Sequence, residues 1–240
     1  MIISNSRRFA FIHIHKAGGT SVEFGLDPFL SWNDVILGST PLGEAISFHY
    51  RQRFGLDKHS SLGDLCNICG PQILENYYVF SLVRHPLDRL CSLYNFIGSL
   101  VHRWATANNV PFDGIARHIE QNPDVLKKTP ALTWSTSVAF IGTSSFSEFI
   151  REKILAYDTG FHTQVSRLNL SAEGPPAADV YKLEDAQGWI PVLQRKLGVD
   201  FELPHKNQSE RALVLPEQVS SDDKRHIEDH YAQDYAAFGY

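Results

Sequence analysis

The sequence predicts an α/β protein in which a central parallel sheet is flanked by helices, and two observations carry this prediction. Short apolar runs at about 9–14, 77–83 and 179–183 have the length of buried strands. Each run is followed by apolar residues at helical spacing, in helices that start near 20, 86 and 189. Strands that alternate with helices in this way imply a parallel sheet with helices outside it. The chain has 240 residues, of which 43% are hydrophobic, so we expect one domain over 1–240.

The first predicted strand leads into the segment Lys16–Ser21, KAGGTS, which we call the glycine loop. Glycines at 18 and 19 let backbone amides turn toward a ligand, and the helix that follows directs its N-terminal amides to the same place. Lys16 adds a full positive charge, and Thr20 and Ser21 add hydroxyl donors that can also cap the helix. The loop therefore predicts a cradle for a phosphate or sulfate group. The alternative is a glycine turn between a strand and a helix, with a surface lysine.

The order of residues in the glycine loop separates it from the usual triphosphate loop, GxxxxGK[ST], where the lysine follows the last glycine. Here Lys16 precedes Gly18 and Gly19. A kinase or GTPase is therefore disfavoured, and a different nucleotide with an anionic tail is favoured.

A mixed stretch to about 75, which carries His59, separates the first helix from the second predicted strand. Pro86 then opens a helix that continues to about 100. Arg84 thus follows the carboxyl end of a strand, where open α/β sheets bind ligands, and Ser92 lies about two turns into the helix. The two side chains can hold one phosphate from two directions. The alternative is that Arg84 pairs with Asp88 or caps the helix.

The later elements continue the alternation. Residues of about 101–145 contain helical pieces, and we interpret this region as a substrate-facing helical insertion; plain helical packing on the sheet edge is the alternative and is compatible with it. The remaining predicted elements are a helix over about 146–154, the strand 179–183, a helix over 189–197 that Gly198 ends, and a last helix from Ser220 or Ser221 with Ile227, Tyr231 and Tyr235 on its buried stripe.

The glycine loop and the Arg84–Ser92 pair together resemble the two cofactor-binding motifs of the sulfotransferases that use PAPS, 3′-phosphoadenosine 5′-phosphosulfate. The resemblance is closest to carbohydrate sulfotransferases of the uronyl and heparan type and their bacterial relatives, and it extends to 181–185, 203–211 and 234–240. It implies a P-loop-like three-layer fold with a central parallel sheet flanked by helices. It also implies transfer of a sulfuryl group from PAPS to a hydroxyl of an acceptor, foremost a carbohydrate, with PAP as product and no metal. His15 departs from the pattern, since bacterial relatives usually have proline there, and this changes local stiffness without removing a ligand.

The resemblance also implies roles for individual residues. The first motif holds the 5′-phosphosulfate, which it assigns to Lys16, Ala17, Gly18, Gly19, Thr20 and Ser21. The second holds the 3′-phosphate, which it assigns to Arg84 and Ser92. Arg211 follows a loop that in relatives folds over the nucleotide, and it is a further candidate at the 3′-phosphate. A surface salt bridge of Arg211 with Glu210 or Glu217 is the alternative.

In-line transfer needs a base beside the acceptor hydroxyl and positive charge beside the leaving phosphate. Lys16 suits the leaving side, because charge develops there in the transition state. Composition does not rank the eleven histidines. The segment 58–65 resembles the family segment that carries the base, and this assigns the base to His59, whose imidazole titrates near neutrality. Glu23, on the first helix, and His49 are the rival bases.

Charge and hydropathy limit the partners. The net charge is −5, from 22 basic and 27 acidic residues, so a nucleic-acid partner is not expected and an anion site must be local. No apolar stretch is long enough to span a bilayer, and 1–8 is too short and polar for a signal sequence. We therefore expect a cytoplasmic enzyme, either of bacterial type or freed of the membrane anchor that Golgi relatives carry. Cys66 and Cys69 form a single CxxC, which favours reduced structural thiols over a zinc site.

Two other functions stay open at this point: a P-loop-type nucleotide kinase that uses magnesium and ATP, and a catalytically silent nucleotide-binding protein. The acceptor and the oligomeric state are not determined by the sequence. Cations and tryptophans that could contact an acidic glycan, and that could equally be ordinary surface or packing residues, are Arg51, Arg53, Arg103, Lys127, Lys128, Trp104 and Trp134.

Overall fold

The computed structural model describes residues 1–171, 174–204 and 212–240. Within these residues five strands form one sheet in the order β3-β1-β2-β4-β5. The strands are β1 (Ile2–Ser4), β2 (Phe9–Ile12), β3 (Val35–Ile36), β4 (Tyr78–Val83) and β5 (Asp179–Lys182). Helices accompany the sheet along the chain, so the predicted α/β class is confirmed.

The parallel part of the sheet consists of β2, β4 and β5. Ile12 lies opposite Ser81 across β2 and β4, and Val83 lies opposite Lys182 across β4 and β5. Every side chain of β2 and all but the first of β4 are buried, as expected of parallel strands that are covered on both faces. Each of the three predicted strands is therefore present, shortened by one or two residues at an end.

The other side of the sheet is antiparallel, so the prediction of a parallel sheet holds for only part of it. β1 pairs antiparallel with β2, and β3 pairs antiparallel with β1. The turn between β1 and β2 ends at Arg8, whose φ is 58°. β1 has three residues and β3 has two, which is too short for a periodic pattern to show in the sequence.

Twelve helices are found in the part of the chain that is described. They are α1 (Gly19–Leu26), α2 (Pro41–Phe54), α3 (Leu62–Cys69), α4 (Ile73–Asn76), α5 (Pro86–Ala107), α6 (Ile115–Gln121), α7 (Asp124–Lys128), α8 (Ser135–Gly142), α9 (Phe146–Phe149), α10 (Ala186–Leu197), α11 (Ser221–His230) and α12 (Ala232–Phe238). The predicted starts of α1 and α5 are confirmed to within one residue. Gly198 ends α10 with φ 65°, the left-handed conformation expected of a C-terminal glycine.

The chain forms two compact units. The first consists of residues 1–85, 163–208 and 232–240, and it contains all five strands together with α1–α4, α10 and α12. The second consists of 86–162 and 209–231, and it contains α5–α9 and α11. The region interpreted as an insertion, 101–145, falls within the second unit. The single sulfotransferase domain, with that insertion, stays a prediction.

The second unit is built on α5, which buries Leu90, Leu93, Ile97 and Val101 on one stripe and packs against α8 and α11. The last predicted helix starts as expected, since the Ser220 side chain accepts from the Asp223 amide and caps α11. It does not continue as one helix, however. Tyr231, with φ −103° and ψ 23°, separates α11 from α12, so Ile227 and Tyr235 do not share a continuous helical stripe.

No helix among the described residues has the length and apolar character that crossing a bilayer requires.

Candidate functional site

The carboxyl ends of the three parallel strands bring three segments of the first unit to one edge of the sheet. The glycine loop follows β2, Arg84 follows β4, and Leu183–Asp185 follows β5. This is the edge at which open α/β sheets bind their ligands. The fold thus brings segments as far apart in the chain as Lys16 and Leu183 together in one candidate site.

The two glycines of the loop are required by backbone conformation and by packing. Gly18 has φ 81°, and a Cβ atom there would lie 2.6 Å from Cδ1 of Leu183. A Cβ atom on Gly19 would lie 2.2 Å from Cδ2 of His13. Lys16 also has a positive φ, 63°, which costs about 1–2 kcal/mol in a residue with a side chain. The loop therefore holds a tight, left-handed turn directly before α1.

The prediction that Thr20 or Ser21 caps α1 is wrong. Gly18 is the N-cap residue, and within the described part of the chain this helix start has no side-chain cap hydrogen bond. Because α1 begins at Gly19, Thr20 and Ser21 already lie in its first turn. Oγ1 of Thr20 instead lies 3.0 Å from Oγ of Ser39.

Positive charge is concentrated at this edge. Burial, followed by the positive charges of Arg84 and Lys58, lowers the pKa of Lys16 to about 8. Arg84 is half-buried. These cations repel one another, and an anion bound among them would relieve the repulsion. The arrangement is therefore suited to binding an anion.

Glu23 lies in α1, the helix that follows the glycine loop, and is fully buried. Its Oε1 lies 2.6 Å from Nδ1 of His13 and accepts from the Met1 amino group at 2.9 Å. Its Oε2 accepts from the Ser39 amide at 2.9 Å and lies 4.0 Å from Nζ of Lys58. Burial opposes ionisation, but these donors outweigh it, so the pKa of Glu23 is lowered. A carboxylate engaged in this way is a structural anion, which argues against Glu23 as the rival base.

His59 lies beside the glycine loop, and one of its ring nitrogens already makes a hydrogen bond. Its Nδ1 lies 3.0 Å from the main-chain oxygen of His13. A carbonyl oxygen can only accept, so Nδ1 carries the proton and Nε2 is the nitrogen with the lone pair. The ring stacks on His15, with centroids 3.5 Å apart. Burial, followed by the neighbouring histidines and Lys58, lowers the pKa of His59 well below 6.5, so the ring is neutral at pH 7.

Gln164, which the sequence did not single out, holds the main chain of Arg84, and Asp234 in turn holds Gln164. The Arg84 amide donates to Oε1 of Gln164 at 2.9 Å, and Nε2 of Gln164 donates to the Arg84 oxygen at 2.8 Å. Asp234 accepts from the Gln164 amide at 2.9 Å. Both Gln164 and Asp234 are fully buried. They lie 80 and 150 positions from Arg84, so no local pattern marks them; Asp234 had a signal only as the first residue of the resembling 234–240 segment.

A third such residue, Arg167, holds the main chain of His59. Its Nη2 donates to the His59 oxygen at 2.6 Å and lies 3.9 Å from Oδ2 of Asp64. Burial lowers the pKa of Arg167, against the opposing charges of Asp64 and Asp57. No local pattern marks this contact either, because 108 positions separate the two residues.

The other predicted site residues are placed as follows. Ala17 is buried in the glycine loop, Ser92 is half-buried on α5 of the second unit, and His49 is exposed on α2. Arg211 lies outside the described residues. The structure thus brings the glycine loop, Arg84 and His59 together within the first unit. The three cysteines are free thiols.

Comparisons of this chain with protein-family models, with curated proteins and with solved structures each find no match.

Proposed function

We propose that this chain is a PAPS-dependent sulfotransferase of P-loop-like fold, which moves a sulfuryl group from PAPS to a hydroxyl of a carbohydrate acceptor. One observation carries the proposal: His59 stacks on His15, the residue directly before Lys16, with 3.5 Å between ring centroids. A neutral imidazole and a cationic glycine loop therefore share one edge of the sheet. Transfer to a hydroxyl needs this combination of a base and positive charge.

The residues present suit a doubly anionic nucleotide. The glycine loop offers Lys16 and the first-turn amides of α1 to the 5′ end, and Arg84 with Ser92 is assigned to the 3′-phosphate. When bound, PAPS supplies the sulfuryl group and a phosphate leaving group. Lys16 gains an anionic partner on binding, which raises its pKa from about 8 and keeps it protonated.

The base and the lysine act on opposite ends of the transfer. His59 takes the proton of the attacking hydroxyl at Nε2 while the hydroxyl oxygen forms its bond to sulfur. The bond between sulfur and the phosphate oxygen breaks, and Lys16 stabilises the negative charge that leaves with PAP. His59 then returns its proton to solvent. The products are the sulfate ester of the acceptor and PAP. The carbohydrate class of the acceptor follows from the resemblance of the motifs.

Nucleotide binding separates the proposal from a kinase. Isothermal titration of the protein with PAP, with AMP and with ATP plus magnesium should give PAP the highest affinity, by at least about tenfold, because only PAP carries the 3′-phosphate. Arg84→Ala should remove the preference for PAP over AMP, whereas Arg225→Ala, on the exposed side of α11, should keep it. Equal or tighter binding of ATP would overturn the proposal.

Turnover separates it from a silent nucleotide-binding protein. The protein is incubated with ³⁵S-labelled PAPS and a library of neutral and uronic-acid glycans, and labelled products are separated from PAPS. We expect transfer to at least one glycan. PAP binding without transfer to any member would favour the silent protein.

A further inference from the structure

One short segment of the first unit, Gln164–Arg167, contacts both Arg84 and His59. Gln164 holds Arg84 through two hydrogen bonds of 2.9 and 2.8 Å, and Arg167 holds His59 through one of 2.6 Å. Only three positions separate the two contacts along the chain, and the 3-10 turn Val165–Arg167 fixes their spacing. The two residues to which the proposed function gives donor binding and proton removal are thus held by the same piece of backbone.

The contact with Arg84 replaces a strand partner. β4 ends at Val83, so Arg84 is the first residue beyond the ladder that β4 forms with β5. The Gln164 side-chain amide accepts from its N–H and donates to its C=O, as a neighbouring peptide group would. Because Gln164 is fully buried, these bonds are shielded from water and hold the Arg84 backbone firmly.

Asp234 fixes the start of the segment. Its Oδ2 accepts from the Gln164 amide at 2.9 Å, and its Oδ1 accepts from the Val165 amide at 2.9 Å. Nε2 of Gln164 also lies 3.3 Å from Oδ2. A buried carboxylate that receives two successive main-chain amides orients that backbone strongly.

The contact with His59 acts together with the one to His13. Arg167 binds the His59 main-chain oxygen, and the His13 oxygen receives the His59 ring through Nδ1 at 3.0 Å. Because the backbone and the ring of His59 are both held, its Nε2 atom has a fixed orientation. The Arg167 side chain is 16% exposed, so water competes little for this bond.

We propose that Gln164, Arg167 and Asp234 are positioning residues, with Gln164 setting Arg84 for the donor, Arg167 setting His59 for proton removal, and Asp234 anchoring both. The inference rests on the proposed function, because that function defines what Arg84 and His59 do. It predicts that substitution of Gln164 affects donor binding and that substitution of Arg167 affects the orientation of His59. Substitution of Asp234 should affect both.

The test uses the full chain and two measurements that need no acceptor. The first is the affinity for PAP, by isothermal titration. The second is the tautomer of His59 at pH 7.5, from ¹H–¹⁵N correlation spectra of histidine-labelled protein, assigned by loss of the signal in His59→Gln. The variants are Gln164→Glu, which keeps the acceptor and loses the donor, Arg167→Met and its conservative partner Arg167→Lys, and Asp234→Asn. Ser166→Ala is the matched control, since Ser166 lies in the segment and its hydroxyl bonds only to the Thr163 oxygen among the contacts described.

We expect Gln164→Glu to weaken PAP binding about tenfold and to leave the His59 tautomer unchanged. Arg167→Met should lower the preference for the Nδ1–H tautomer about tenfold while PAP affinity stays within about twofold, and Arg167→Lys should restore part of that preference. Asp234→Asn should change both measurements, and Ser166→Ala neither. Circular dichroism and thermal unfolding identify any variant that is not folded. If Asp234→Asn does not fold, Gln164→Glu and Arg167→Met test the inference by themselves.

Two results would overturn the inference alone: PAP affinity that is the same in Gln164→Glu and in the unmodified chain, or a His59 tautomer that does not respond to Arg167→Met. Failure of the unmodified chain to bind PAP would instead overturn the proposed function and, with it, the role given to Arg84. The two failures are therefore distinguishable.

Discussion

Oε1 of Glu23 lies 2.6 Å from Nδ1 of His13, and both side chains are buried. His13 comes just before the glycine loop and Glu23 is in the helix after it, so this contact closes the loop at its base. Burial lowers the pKa of His13 to about 4, against the opposing effect of Glu23, so the imidazole is neutral at pH 7 and the carboxylate carries the charge. The Glu23 carboxylate is thus a buried negative charge directly beside the candidate site.

Glu23→Gln should destabilise the protein by about 3 kcal/mol or more, because it removes a buried carboxylate and leaves its donors with a poorer acceptor. Urea unfolding at pH 7 measures the change. Glu44→Gln, on the exposed side of α2, is the control and should stay within about 0.5 kcal/mol. A Glu23→Gln protein as stable as the control would show that the contact with His13 does not support the loop.

Gly19→Ala should destabilise the protein by about 1–3 kcal/mol, since the added methyl group meets the His13 ring, which Glu23 holds in place. Thermal unfolding is the measurement. Gly142→Ala is matched to it, because a Cβ atom at Gly142 meets nothing within 4 Å, and it should be neutral or slightly stabilising. Equal melting temperatures for the two variants would contradict the packing described here.

His59→Ala should lower sulfuryl transfer at least about a hundredfold, the usual contribution of a general base, and leave PAP affinity within about twofold. The measurements are labelled transfer and PAP titration. His49→Ala, which removes an exposed imidazole on α2, should keep both. An active His59→Ala enzyme would show that another residue is the base.

PAP binding should weaken as the pH rises through about 8, where the free protein loses the charge on Lys16. The sign follows from the lowered pKa: the anion binds the protonated form, so binding takes up a proton above this pH and becomes less favourable. Titrations at pH 7 and 9.5 should differ on the order of tenfold. In Lys16→Arg the guanidinium stays charged at both pH values, so its affinity should change little between them. A pH-independent affinity in the unmodified protein would show that Lys16 does not contact the anion.

Much of the parallel half of the fold could be predicted from local pattern. The strand–loop–helix order around the glycine loop and around Arg84 depends on runs of 4 to 22 residues, whose periodicity is visible in the sequence. β1 and β3 could not be predicted, because two or three residues carry no period and these strands exist only through their partners. The hairpin that makes the sheet mixed depends on pairing across the sheet.

The candidate site divides in the same way. Lys16, the two glycines and Arg84 could be predicted from residue type, since an anion site needs cations and a compact backbone at the ends of strands. Gln164 and Arg167 gave no such signal, and Asp234 had one only as the first residue of the resembling 234–240 segment. Their hydrogen bonds join positions from 69 to 108 residues apart, and a partner at that distance is selected by how the chain packs.

From the order of its amino acids alone, this chain reveals where strands lead into helices and which loops can receive an anion, because both properties depend on neighbours within a few turns. Folding adds what those neighbours cannot specify: an antiparallel edge on the sheet, a buried carboxylate beneath the loop, and a segment that holds Arg84 and His59 at once. Each of these depends on contacts between distant residues, and such contacts form only when the core brings the residues together and excludes water from them.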